Sequence, residues 1–428
     1  MAGDSVNIVD IIEKKKNKKE LTYNEIKYAV NGFIIGIVKD YQMSALLMAI
    51  VLNGMTYEET IALTDVMIKS GDKIDLSMID GIKVDKHSTG GVGDKTSLVV
   101  LPIVAASGVK VAKMSGRGLG FTGGTIDKLE SIEDFKVNLD HDDFVNQVND
   151  IGIAIASQTA DLVPADKKIY ALRDVTGTTD SIALIASSIM SKKISSGSDK
   201  IVLDVKVGKG AFMKNLADAK KLASLMVKIG KAYNKETVAI ITNMDLPLGV
   251  TIGNGIEVEE AISTLRGNGD KRFLNLCLII ASYMISMGKN ISLDAAFKEA
   301  YEKYNSKEAY QKFKELISMQ GGDINNIKRC SNRIEIISTK SGYVTDIDCM
   351  GLAKVANSLG AGRLKKDDRI DYGVGIEIEK KYGDRVEFGD TLAYVVGNGS
   401  IDTNEIESMF TIEKAKKEEE KLIYDVIK

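Results

Sequence analysis

Along the first 70 residues apolar positions recur at helical spacing, and polar caps mark where helices begin. Thr22 and Glu25 stand three apart ahead of one such segment, and Thr56 and Glu59 repeat the arrangement. A hydroxyl and a carboxylate at that spacing satisfy backbone N–H groups that a helix start leaves unpaired. The second capped helix carries Ile61, Leu63, Val66 and Met67 and is expected to stop near Gly71. Between the two, QMSALLMAIVLNG (42–54) is apolar almost all round, which predicts a buried helix. The run KKKNKK (14–19) reads as the solvated end of a first helix rather than a nucleic-acid patch.

From about residue 80 the period changes. TSLVVLPIVAASG (96–108), VKVAKM (109–114), KIVLDVKVG (200–208) and VAIITNM (238–244) are short β-branched runs between helical segments and glycine-rich connections. That alternation predicts a mostly parallel sheet flanked by helices. Residues 165–197 read as helical again, with Asp180 as an N-cap, and are expected to return to the N-terminal helices. After residue 335, GYVTDIDCMGLAKVANSLGAGR and GVGIEIEKKYGDRVEFGDTLAYVV show strand-like alternation with Gly-Asp turns, and 405–428 reads as a surface helix. The expected fold is α/β, with a small all-helical domain (1–70 and 160–196) and a larger α/β domain with a mostly parallel central sheet (75–155 and 197–330). A C-terminal α+β domain (335–428) completes it.

Composition refines this picture only slightly. With 44% hydrophobic and 27% charged residues, 428 residues can bury ordinary globular cores. A net charge of −3 gives no global reason to expect nucleic acid or an anionic membrane as partner. Cys277, Cys330 and Cys349 form no CxxC pair and read as free thiols in a reducing compartment. No apolar run reaches the roughly 18 residues of a membrane span, and NIVDIIEKKKNKKE lacks a secretory apolar core, so a cytoplasmic location is expected.

Two glycine-rich loops carry the candidate chemistry. KHSTGGVGDKTS (86–97) is not a P-loop, because Asp94 intervenes after Gly93 and Lys95-Thr96 arrive one residue late. In AKMSGRGLGFTGGTIDKLE (112–130), Gly118, Gly120 and Gly123 satisfy GxGxxG, and Asp140 lies near the distance of a ribose-binding acid. That supports an NAD-dependent oxidoreductase as one alternative, but Thr125 to Ile132 leaves barely two helical turns. Taken together, the loops bring Lys86, Ser88, Ser97, Lys113, Ser115 and Thr125 as side-chain donors, with glycines that admit an anion to the backbone. Such a set suits inorganic phosphate or a phosphoribosyl group. Another alternative, a carrier role, arises because GDRVEFGDTL resembles lipoyl-type turns. The nearby lysines, however, sit in the charged stretch LKKDD rather than at a hairpin tip.

The motifs KHSTGGVGDK, SGRGLGFTGGTIDKLES, QTADLVPADKKIYALRDVTGT and DVKVGKGAF closely resemble the thymidine/pyrimidine-nucleoside phosphorylase family. VAKMSGRG and MDLPLGVTIGNGIEVEEAI look most like its bacterial members of broad specificity. The resemblance spans nearly the whole chain. It implies reversible phosphorolysis of uridine, deoxyuridine and thymidine to free base and (2-deoxy)ribose 1-phosphate, by a homodimer with phosphate as co-substrate and no organic cofactor. It assigns phosphate to Lys86, Ser88, Ser97, Lys113, Ser115 and Thr125, and the base to Leu119, Tyr170, Arg173, Ser188 and Lys192. His87, Arg173 and Lys192 would be catalytic, His87 as a general acid whose ordinary pKa near 6.5 lets it carry a proton close to neutral pH. A potassium site would involve Gly93, Lys95, Leu248, Thr251 and Glu260.

Three positions depart from the family pattern: Phe121 stands where His is common, and Lys95 and Lys209 replace smaller residues. The lysine at 95 puts the potassium site in doubt. A phosphoribosyltransferase of the same broad fold, such as one using anthranilate, is the nearest enzyme alternative, although no metal-pyrophosphate site is found.

Overall fold

The computed structural model describes residues 7–118, 123–159, 161–363, 368–418 and 420–428. Four helices open the chain: α1 (Ile8–Lys16), α2 (Tyr23–Ile34), α3 (Asp40–Asn53) and α4 (Tyr57–Ile68). Both expected capping boxes form, at Thr22–Glu25 and Thr56–Glu59. The lysine run does end α1, but Lys15 is not solvated. Its ammonium is buried against Glu59 at 2.8 Å and pins α1 to the start of α4. The expectation of a fully buried α3 also fails. Met43, Leu46, Leu47 and Ile50 face the core, while Tyr41 and Leu52 remain about three-quarters exposed.

The chain then runs β1 (Val84–Ser88), α5 (Thr96–Ala106), β2 (Val111–Ser115), α6 (Thr125–Leu129), α7 (His141–Ile151) and β3 (Ile153–Ser157). Next come α8 (Pro164–Asp174) and α9 (Ile182–Ser195), capped by Ser181 rather than Asp180. They precede β4 (Lys200–Val207), α10 (Leu216–Ala232), β5 (Glu236–Asn243) and β6 (Thr251–Gly253). The helices α11 (Gly255–Leu265), α12 (Lys271–Lys289), α13 (Leu293–Asn305) and α14 (Glu308–Met319) follow.

Strand β4 pairs in parallel with both β1 and β5, and β2 pairs in parallel with β3. A bridge between Lys83 and Lys110 joins the two sets. One run expected to be extended is helical: TSLVVLPIVAA is α5, with Pro102 inside it. Its residues from Leu98 to Val104 are almost wholly buried, so packing on all sides overrides the strand preference of the β-branched residues. Asp140 is the N-cap of α7 and accepts from Asp143 N, and α6 has only 5 residues. A dinucleotide fingerprint with a ribose acid therefore finds no support here.

The C-terminal part holds β7 (Arg333–Ile337), β8 (Gly342–Ile347), α15 (Cys349–Ser358), β9 (Gly375–Ile378), β10 (Arg385–Val386) and β11 (Thr391–Val396). It ends with α16 (Thr403–Ser408), β12 (Phe410–Glu413) and β13 (Ile423–Ile427). Only the first six residues of GYVTDIDCMGLAKVANSLGAGR form a strand, the remainder being largely α15. The terminal segment is not the expected surface helix. β12 pairs with β8, and β13 lies antiparallel on β5, covering the edge of the parallel sheet.

Helices α8 and α9 pack on the N-terminal helices: Leu162, Ala165, Ile169 and Leu184 share one apolar cluster with Ile26, Leu47 and Leu63. α9 also packs on α10 and β4 through Ile189, Met190 and Ile194. It is thus wedged between the helical bundle and the sheet.

Candidate active site

Parallel strands end together, so β1, β2 and β4 deliver their carboxyl ends to one side of the sheet, where α/β folds bind ligands. At the end of β1, Lys86 Nζ is fully buried and donates to Thr96 Oγ1 and, at 3.4 Å, to Ser97 Oγ in the first turn of α5. Asp94 organises the turn between them. It accepts from Ser88 Oγ, from Thr96 N at 3.1 Å and from Thr96 Oγ1 at 2.6 Å. Burial would raise the Asp94 carboxyl, but Lys206, Lys86 and these hydroxyls outweigh it and hold it far below the usual carboxylate range. The intruding acid therefore faces inward and shapes the loop.

From β2, Lys113 Nζ donates to Lys86 O at 2.7 Å and lies 3.4 Å from Asp85 Oδ1. Burial, only partly opposed by Asp85, lowers this ammonium to about 7. Ser115 ends β2 and Thr125 opens α6; among the described residues neither hydroxyl has a hydrogen-bond partner. Leu119 and Phe121 lie outside the described residues.

Four lysines, 86, 113, 193 and 206, meet three aspartates, 85, 94 and 204, in and under these loops. The positive surplus suits an anion. His87 sits half-buried among them. Burial first, then Lys193, Lys113, Lys192 and Lys86, push its pKa well below 6.5. Both effects work against the proton that it is expected to carry near neutral pH.

The base-side residues come from α8 and α9. Ser188 and Lys192 share a helix face, with Lys192 Nζ 3.0 Å from Ser188 Oγ and 2.6 Å from Asp166 Oδ2. Tyr170 stands beside both cations, its ring centroid 5.4 Å from Lys192 Nζ and 5.9 Å from the Arg173 guanidinium carbon. Arg173 is buried. It donates to Thr178 O at 3.0 Å, Thr179 O at 2.9 Å and Leu184 O at 3.3 Å, fixing the α8–α9 connection and leaving two N–H groups for other acceptors.

The next residue on α9 joins the two halves. Lys193 points the other way, reaching Asp85 Oδ2 at 2.5 Å and Met114 O at 3.3 Å. Asp85 also accepts from Lys86 N at 2.7 Å. Sequence reasoning missed Asp85, Asp166, Lys193, Asp204 and Lys206. Asp204 and Lys206 did carry a signal, charge within the apolar run KIVLDVKVG, which marks a buried group but not its partner; Asp85, Asp166 and Lys193 stand among polar neighbours and carried none.

The residues assigned to potassium also converge, but around Lys95 itself. Its buried ammonium lies 2.6 Å from Leu248 O, 3.1 Å from Thr251 O and 2.7 Å from Glu260 Oε2. Lys209, the other departure, pairs with Asp346 at 2.6 Å and ties the α/β part to β8. A cavity of about 580 Å³ lies elsewhere, on the C-terminal part. Among its charged lining residues Lys380 and Asp390 already pair at 2.7 Å.

Comparison with known proteins places this geometry among relatives. Residues 80–310 match the a/b domain of a glycosyl transferase family, residues 9–71 its helical bundle domain, and residues 343–413 the pyrimidine nucleoside phosphorylase C-terminal domain. A pyrimidine-nucleoside phosphorylase of Staphylococcus epidermidis is 50% identical over 432 residues, covering 99% of this chain and all of the relative. That of Geobacillus stearothermophilus is 51% identical over 92% of each chain. Among solved structures, anthranilate phosphoribosyltransferase from Thermus thermophilus superposes with a TM-score of 0.57 at 17% identity, covering 73% of this chain and 99% of that one. At that identity the likeness concerns the fold alone.

Proposed function

The chain belongs to the pyrimidine-nucleoside phosphorylase family and cleaves pyrimidine nucleosides with phosphate as co-substrate, and on that premise we propose how its own residues do so. Phosphate binds between the two glycine-rich loops, held by Lys86, Ser88, Ser97, Lys113, Ser115 and Thr125. The pyrimidine lies against Tyr170, with its carbonyls toward Arg173, Ser188 and Lys192; Leu119 belongs to the same half-site. A phosphate oxygen attacks C1′ from the face opposite the base, and the bond from C1′ to the ring nitrogen breaks. The electron pair leaves with the pyrimidine, where Arg173 and Lys192 stabilise it. Burial first, and then Lys193, Lys113, Lys192 and Lys86, disfavour the protonated form of His87. A bound phosphate dianion offsets their charge, so the imidazole gains its proton once the nucleophile is in place and donates it toward the departing base.

The observation that carries this reading is the adjacency of Lys192 and Lys193 on α9, one toward the base side and the other on Asp85 beneath the anion loops. Phosphate-dependent release of base should be seen with uridine, deoxyuridine and thymidine. Release from none of these would overturn the reading, and cytidine serves as the comparison that defines its breadth.

The moving unit in this reading is residues 1–70 with 160–196, which close on the α/β domain (75–155 and 197–330), while 335–428 form the third domain. The enzyme acts as a homodimer, for which the exposed apolar residues Ile35, Ile37, Tyr41 and Leu52 of the helical bundle offer contact area. Small-angle scattering tests both points together. The mass should be twice 46.4 kDa, and the radius of gyration should fall when phosphate and a slowly reacting nucleoside are added. A single-chain mass, or a radius unchanged at saturation, would count against the corresponding point. A cytoplasmic setting fits the three free cysteines and the absence, among the described residues, of any single helix long and apolar enough to cross a membrane.

A further inference from the structure

Potassium in a protein takes a cage of oxygens, and the oxygens are present here: the carbonyls of Leu248 and Thr251, the Thr251 hydroxyl and the Glu260 carboxylate. They do not fit a dissolved ion, because Lys95 Nζ already lies within 2.6–3.4 Å of all four. The Lys95 side chain is wholly buried, and its ammonium also faces the Phe273 ring at 5.3 Å. An ion added among the same oxygens would stand against a like charge in a buried site, where screening is weak. An ammonium and a potassium ion have nearly the same radius, so the tethered group satisfies the same acceptors.

The position of this contact matters. Lys95 is the N-cap residue of α5 and follows Asp94, which holds Ser88 and Thr96. Gly93 lies on the same carbonyls, with φ at +73°, and a Cβ there would meet Leu248 O at 2.8 Å and Thr251 O at 3.0 Å. Glu260 in turn accepts from Val250 N at 2.9 Å and from the Thr251 hydroxyl. The ammonium therefore clamps the 88–97 loop to the 248–251 segment.

We propose that Lys95 is a built-in replacement for a monovalent cation, a positioning residue that neutralises Glu260 and assembles the anion loop without dissolved potassium. The kinetic part of the test rests on the phosphorolysis reading, whereas its stability part does not. The full-length protein is prepared in tetramethylammonium buffer and titrated with KCl, NaCl or NH4Cl, following Tm and the KM for phosphate. The wild type should show no saturable response to potassium in either quantity. Lys95→Ser, which leaves a hydroxyl and a space of ammonium size, should melt about 5 °C lower. Its KM for phosphate should rise about tenfold with a smaller change in kcat. Potassium or ammonium, but not tetramethylammonium, should restore both saturably.

A wild type that loses Tm or phosphate affinity when potassium is withdrawn overturns the proposal without need of any variant. A folded Lys95→Ser protein that ignores potassium and ammonium overturns it as well. If no nucleoside is cleaved, the two melting series still decide the role of Lys95 separately from the reading of the active site.

Discussion

Asp85→Asn is expected to lose about 3–5 kcal/mol of stability at pH 7, the cost of leaving buried charge without its counter-ion. The carboxylate lies between Lys193 at 2.5 Å and Lys113 at 3.4 Å, and all three groups are buried. An amide can still accept from Lys86 N, so the loss isolates the charge rather than the shape. Acid titration of the wild type supplies an independent check. Burial would raise the Asp85 carboxyl, but Lys113 and Lys193 outweigh burial and hold it below its ordinary value. A lowered folded pKa means the stabilisation is complete above the unfolded value, about 3.9, and is lost as pH falls through the folded one. Denaturant melts should therefore show an acid limb below about pH 4 that is weaker in Asp85→Asn. A variant within about 1 kcal/mol of wild type at pH 7 would mean the cluster is not held by this carboxylate.

Lys192→Ala is expected to lower kcat/KM for pyrimidine nucleosides by about 10²–10³, with the KM for phosphate nearly unchanged. The reason is positional. Lys192 belongs to the base side, whereas its neighbour Lys193 supports the anion loops. Removing the first should weaken stabilisation of the leaving pyrimidine and leave the phosphate half intact. Asp166 loses its partner in this variant, and because its side chain is only 4% exposed a stability cost of about 3 kcal/mol is expected, so the kinetics are measured below the variant's melting range. Steady-state kinetics with each substrate varied in turn checks the prediction. A rise in the phosphate KM with nucleoside kinetics unchanged would mean the two half-sites are interchanged.

Local signals were legible where the sequence itself contains both partners of a contact. The capping boxes at Thr22–Glu25 and Thr56–Glu59 formed as read, and Ser188 and Lys192 fell on one helix face because four residues make about one turn. The parallel pair of β4 and β5 followed from alternation of strand and helix. The same signals misled wherever distant packing outweighed them. A β-branched run became α5 because it is enclosed on all sides, and a charged tail became β13 because the edge of β5 was open. Helix α3 looked buried, but apolar composition does not say whether this chain covers the residue.

At the candidate site the sequence by itself determined the donor inventory, the family and the glycine positions that let a loop lie on carbonyls. Only the tertiary structure decided which charges meet. Asp85 reaches Lys193 across 108 residues, and Lys95 reaches Leu248 across 153. It also decided in which direction the His87 pKa moves, since that depends on burial first and then on Lys193, Lys113, Lys192 and Lys86. The physical reason is common to all three. A side chain's type and local spacing are written in the sequence, but its charge state and its partners depend on burial and on the field of groups that only folding assembles.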